Sequence, residues 1–193
     1  MQQELVQSRP VELRKAVAVV LGAAFVALAA QISVPLPGTP VPMTLQPLAV
    51  LLVGGLLGAR LGAASMVLYL ALGIAGLPVF TPTVPLLGIA RLLGPTGGYL
   101  LAYPVAAFAV GALVTPGHRP GVNTPYWVRT ALGVLAGLVL IHVGGLAQLV
   151  ILTGNVEGAA RLGTWPFLLG DLAKLAVAVA TLTKLTPAVR ARL

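Results

Sequence analysis

An aspartate and a lysine three positions apart, Asp171 and Lys174, stand in an otherwise apolar run, FLLGDLAKLAVAVATL. An ionisable group in a membrane span costs about 2.5 to 3.5 kcal/mol on insertion scales, so its retention points to a function. The i, i+3 spacing puts both groups on one face of a helix. Helical side chains lean toward the helix N-terminus, so both lean toward the end at which this helix begins. A polar ligand arriving there meets a carboxylate acceptor and an ammonium donor. The alternative is a plain intrahelical ion pair in which the charges neutralise each other. That reading also requires the pair to face the bundle interior.

Other polar residues cluster at apolar boundaries. Residues 94–99 read GPTGGY at the start of an apolar run, so Thr96 can cap a helix whose glycine N–H groups sit at the positive end of its dipole. Arg91 lies just before this turn and can meet a ligand carboxylate, Glu157 or a lipid headgroup. Thr44 and Gln46 open another helix ahead of Pro47, Thr44 as a cap and Gln46 as a cap neighbour or a contact to a polar ring. Tyr69 and Tyr103 read first as packing or interface anchors, the lesser alternative being that one of them lines a cavity. His142 falls in mid-span and reads as a packed histidine bonded to a neighbouring helix. Ala23 and Ala27, four apart among other small residues, let a second helix approach, either from a partner subunit or from the same bundle.

Several chemistries have no residues to carry them. There is no cysteine, no G-x-x-x-x-G-K-[ST] phosphate loop and no H-E-x-x-H, and the two histidines, His118 and His142, lie far apart in the chain. No metal site, no cofactor and no nucleotide hydrolysis by this chain are expected. No serine, histidine and acid constellation suggests an enzyme.

The elements that must hold these residues are membrane spans. Of 193 residues, 58% are hydrophobic and 8% charged, with a mean hydropathy of +1.00, far from the balance of a soluble domain. Stretches of about 20 apolar residues predict spanning helices. They fall at 11–33, 44–59, 61–77, 96–114, 127–153 and 165–185, the second and third joined by a tight turn at Arg60. The fold class is an all-α integral membrane protein of six helices forming one domain over 1–193.

The net charge of +8 reflects topology and not nucleic acid, because the basic residues flank apolar spans and carry no interleaved aromatics. With both termini cytoplasmic, nine basic residues lie inside (Arg9, Arg14, Lys15, Arg60, Arg119, Arg129, Lys184, Arg190, Arg192) and two outside (Arg91, Arg161). Two outer loops, 34–43 (VPLPGTPVPM) and 78–95 (PVFTPTVPLLGIARLLGP), are proline-rich. Fixed proline φ angles stiffen them, so they can rest over a cavity at little ordering cost.

The run QISVPLPGTPVPMTLQPLAVLLVGGLLGARLGAASMVLYLALGIAGLPVF, then LLGPTGGYLLAYPVAAFAVG, and finally GDLAKL, resembles the BioY family, the biotin-binding S-components of energy-coupling factor (ECF) transporters. The resemblance implies a six-helix, multi-pass protein of a prokaryotic plasma membrane. Such a subunit captures biotin from outside and works with an energising module of two cytoplasmic ATPases and a transmembrane coupling subunit. It implies biotin contacts at Asp171 and Lys174, reach into the pocket by Arg91 and Tyr99, and a docking surface for the coupling subunit at Ala23 and Ala27. The sequence departs from many relatives at TPTVPLLG, 81–88, which puts any ring contact from the third loop in doubt. Which polar group takes the ureido ring and which the carboxylate is left open. A different mechanism, a self-sufficient secondary transporter in which Asp171 and Lys174 exchange a proton, is the competing expectation.

Overall fold

The computed structural model describes residues 2–116 and 123–193. Of the residues used above, His118 and Arg119 lie outside the described residues. In chain order the elements are α1 (Gln2–Gln31), β1 (Ser33–Val34), β2 (Met43–Thr44), α2 (Gln46–Leu57), α3 (Ala59–Ile74), α4 (Ile89–Leu93), α5 (Gly97–Leu113), α6 (Tyr126–Thr153), α7 (Val156–Gly163), a 3₁₀ turn (Trp165–Phe167) and α8 (Leu168–Arg190). Three segments, Val11–Gln31, Tyr126–Thr153 and Val156–Arg190, are long and apolar enough to cross a membrane. The other apolar helices are shorter; the 12 residues of α2 rise about 18 Å, against a hydrocarbon layer of about 30 Å. The bundle turns large apolar side chains outward, Ile151 and Leu169 being 82% and 84% exposed. Such a surface suits lipid and not water.

Small residues explain how closely the helices meet. A Cβ on Gly54 of α2 would sit 2.8 Å from the Ala107 Cα of α5, and one on Gly62 of α3 would sit 2.8 Å from the Gly54 Cα. Gly98 of α5 and Gly144 of α6 face each other so tightly that a Cβ on either would strike the other's carbonyl oxygen. With little hydrophobic force between helices in lipid, such backbone approach is what allows dispersion to hold them. The glycines of GPTGGY therefore serve packing: a Cβ at Gly97 would collide with the Leu92 backbone.

The elements differ from expectation at a joint, in two added short helices and at the start of α1, which begins at Gln2 where the first span was placed from 11. The joint between the second and third spans is Gly58 (φ +89) and not Arg60, which lies inside α3. A left-handed φ suits glycine, and Gly58 takes it where the chain reverses. The short helices α4 and α7 fall within stretches read as loops. Asn155 starts α7 by accepting from the N–H groups of Glu157 (2.9 Å) and Gly158 (3.4 Å).

The docking expectation for α1 is corrected in part. Ala23 is 1% exposed and belongs to the chain's own core, with neighbouring Gly22 set against Ser65 of α3 and Val53 of α2. Small residues let a helix approach, and here the helix is the chain's own. Ala27 is only partly covered, and the outward face of α1 carries Leu21, Phe25 and Leu28.

Candidate functional site

The bundle end at which α8 begins is roofed by both proline-rich loops. The first closes into a β1–β2 hairpin, Ser33 opposite Thr44 and Val34 opposite Met43, and Thr39 donates to the Leu162 carbonyl of α7 at 2.5 Å. The second is held down by Gln31 at the end of α1, whose amide donates to the carbonyls of Pro78 and Phe80, both at 3.4 Å. Beneath them lies a cavity of about 560 Å³ including its mouth. Its polar lining comes from Thr44, Gln46, Thr81, Arg91, Thr96, Tyr99, Tyr103, His142, Asp171 and Lys174. Five separate segments contribute, so the cavity exists only once the bundle is assembled.

Asp171 stands in the first turn of α8 and is 8% exposed; Lys174, one turn on, is 7% exposed. They are paired, Lys174 Nζ donating to Asp171 Oδ1 at 3.0 Å. The ion pair and the cavity wall thus coincide. A buried pair of this kind repays its desolvation poorly by Coulomb attraction alone, and further hydrogen bonds must make up the difference. One is supplied by His142 of α6, whose Nε2 lies 2.6 Å from Asp171 Oδ2. The expectation of a packed histidine bonded to a neighbouring helix holds, and the bond makes His142 part of the polar cluster.

Arg91 is 1% exposed. Its Nη1 donates to the Val84 carbonyl at 2.7 Å, tying α4 to the preceding part of the second proline-rich loop, while Nε has no partner among the described residues. Neither Glu157 nor a headgroup is its partner, since Glu157 pairs with Arg161 at 2.6 Å and Arg91 faces the cavity. Burial lowers the guanidinium pKa from its usual value. Arginine starts so high that it stays charged at neutral pH. Thr96 does not cap α5: its hydroxyl makes no cap bond, and Oγ1 is buried without a partner among the described residues.

Gln46 donates through Nε2 to Tyr69 Oη at 2.5 Å, and Tyr69 donates to the Val79 carbonyl at 3.2 Å. Thr44 donates to Gln46 Oε1 at 3.2 Å and accepts the Gln46 N–H at 3.2 Å; it is not the N-cap of α2, which is Leu45 and has no side-chain cap bond, and it lines the cavity. Tyr99 donates to the Gly163 carbonyl at 2.5 Å, in a slot where a Cβ on Gly145 or Gly163 would strike it. That leaves its ring set edge-on to the His142 ring, centroids 6.2 Å apart. Tyr103, read as an anchor, lines the cavity, whereas Tyr69 packs at 5.4 Å against Phe80. Thr81 of the second proline-rich loop lines it too, so that loop does contribute a polar group.

On the outside of the bundle, between α6 and α8, an apolar groove runs along Leu135, Val139, Val143, Leu168 and Leu172. Leu138, His142 and Asp171 line both the groove and the cavity.

The sequence profile of the BioY family matches residues 1–191. The chain is 42% identical over 168 residues to a probable biotin transporter BioY of Pyrococcus horikoshii, covering 86% of this chain and 93% of the relative. It is 37% identical over 155 residues to the biotin transporter BioY of Thermotoga maritima, covering 80% and 85%. Among solved structures it superposes, with a TM-score of 0.77, 25% identity and coverage of 90% of this chain and 91% of that one, on the S-component for biotin from an ECF-type ABC transporter.

Proposed function

This chain belongs to the BioY family, and from that premise we propose that it is the biotin-capturing S-component of an ECF transporter. The whole chain, 1–193, acts as one membrane domain of a prokaryotic plasma membrane. It has six spans: α1, α2, α3, α5, α6 and α8. Both termini face the cytoplasm, because the described basic residues Arg60, Arg129, Lys184, Arg190 and Arg192 gather at the end away from the cavity. The cavity then opens outward. Uptake is completed with the two ATPases and the transmembrane coupling subunit, since this chain carries no phosphate loop. Ala27 and the exposed face of α1 are where the coupling subunit docks.

One observation carries the reading: the buried Asp171–Lys174 pair opens into a cavity whose other walls bring Arg91 and Thr96 with unspent polar atoms. Biotin offers a ureido ring with two N–H donors and a carbonyl, an apolar thiophane ring and tail, and a carboxylate. Asp171 accepts from N–H groups, Lys174 and Arg91 donate to oxygen, Thr44 and Gln46 supply further polar contacts, and the Tyr99 ring gives an apolar wall. Calorimetric titration of the purified protein with biotin tests this, with submicromolar binding expected. No heat, together with no competition against labelled biotin, overturns it.

A further inference from the structure

Each carboxylate oxygen of Asp171 is engaged by a different helix. Lys174, on α8 itself, holds Oδ1, and His142, on α6, holds Oδ2. The His142 ring has a single polar anchor: Nδ1 is buried without a partner among the described residues. An N–H there would be left unsatisfied, so the proton sits on Nε2 and is donated to the carboxylate, which when ionised only accepts. The His142 ring also meets the Tyr99 ring at nearly a right angle, centroids 6.2 Å apart, and Tyr99 is itself fixed to the Gly163 carbonyl. A chain of contacts thus runs from the end of α7 through α5 and α6 to the acid of α8. Lys174 alone leaves that acid free to turn about its side-chain bonds; the imidazole removes that freedom.

We propose that His142 is a positioning residue for ligand capture: it holds Asp171 in the orientation that receives the ligand and closes the wall between the cavity and the apolar groove. This rests on the reading of the cavity as a biotin site. The bond spans 29 residues of sequence and joins two helices that share the ligand's wall. A histidine used only for packing needs no carboxylate partner at the edge of a cavity.

The test uses the full chain in lipid nanodiscs. Nitrogen NMR of the imidazoles, with His142 assigned by the signals lost in His142→Gln, is expected to show Nε2 protonated and Nδ1 bare. Biotin titrations then compare wild type, His142→Leu, His142→Gln, Asp171→Asn and the His142→Leu/Asp171→Asn double variant. Leucine is expected to weaken binding about tenfold, the worth of one hydrogen bond to a charged group, and glutamine, whose amide can donate where Nε2 does, to recover it to within about threefold of wild type. The double variant is expected to lie within about threefold of Asp171→Asn alone, because His142 acts through that acid. Glutamine as weak as leucine, fully additive losses, or a bare Nε2 in protein that binds biotin each overturn the proposal. If the leucine variant does not fold, the glutamine titration and the nitrogen spectrum still decide. Failure of the wild type to bind biotin is a separate result, which removes the functional reading itself.

Discussion

Two arginines near opposite ends of the bundle show what separates a site from a joint. Arg190, in the last turn of α8, donates through Nη2 to the carbonyls of Gly55 (2.7 Å) and Gly111 (3.0 Å), near the ends of α2 and α5. Those carbonyls are among the last of their helices, where backbone acceptors run short of partners and the dipole favours a cation. Arg190 therefore closes three helices together. Arg91, deeper and less exposed, makes one bond to a loop carbonyl and turns the rest of its fork toward a cavity shared with an acid and an amine. Nε is buried without a partner among the described residues in both arginines, so what sets the two apart is that Arg91 faces the cavity and Arg190 does not.

The comparison can be broken most directly at the acid. Asp171→Asn or Lys174→Met is expected to weaken biotin binding by about a hundredfold, since each removes a charged hydrogen-bond partner of the ligand, and to lower stability by about 3–5 kcal/mol, since each strands the other charge. Isothermal titration beside a thermal melt checks this; unchanged affinity would place the pair with Arg190 as structure. Arg91→Gln is expected to weaken binding about tenfold, the loss of a charge-assisted donor. Arg190→Gln sharpens the contrast: it should lower the melting temperature by a few degrees, about 1–2 kcal/mol, and leave affinity within about twofold. A reversal of these two outcomes would exchange the roles assigned to the two ends. Thr96→Ala is the smallest effect, about threefold in affinity or less, because it removes a hydroxyl without a partner among the described residues. Proteoliposomes holding this chain alone are expected to accumulate no biotin under a proton gradient; uptake there would favour the secondary transporter.

How much of this could be read from sequence depended on contrast. Asp171 and Lys174 stood out because charges interrupt an apolar run, and their shared face followed from helical spacing. Arg91 was legible as a lone cation in an outer loop, though its burial was not. His142 was visible only as a polar residue in a span; its partner lies on another helix, and no periodicity within α6 says which helix that is. Tyr103 was legible as an anchor or, less readily, a cavity residue, and Thr81 only as part of a divergent loop, since a threonine in a loop and a tyrosine in a span are ordinary until the bundle closes. The short helices α4 and α7 escaped because neither is long or apolar enough to register as a span. Ala23 shows the limit from another side: spacing establishes that a helix is approached, and only packing says by whom.

The partition formed by Leu138, His142 and Asp171 is a single layer of side chains with the polar chamber on one side and the groove on the other. A reporter fixed at Val143, on the groove side, therefore sits behind this wall, outside the chamber in which we propose the ligand is held. Filling and emptying can be watched through the wall, with the vitamin itself left unlabelled.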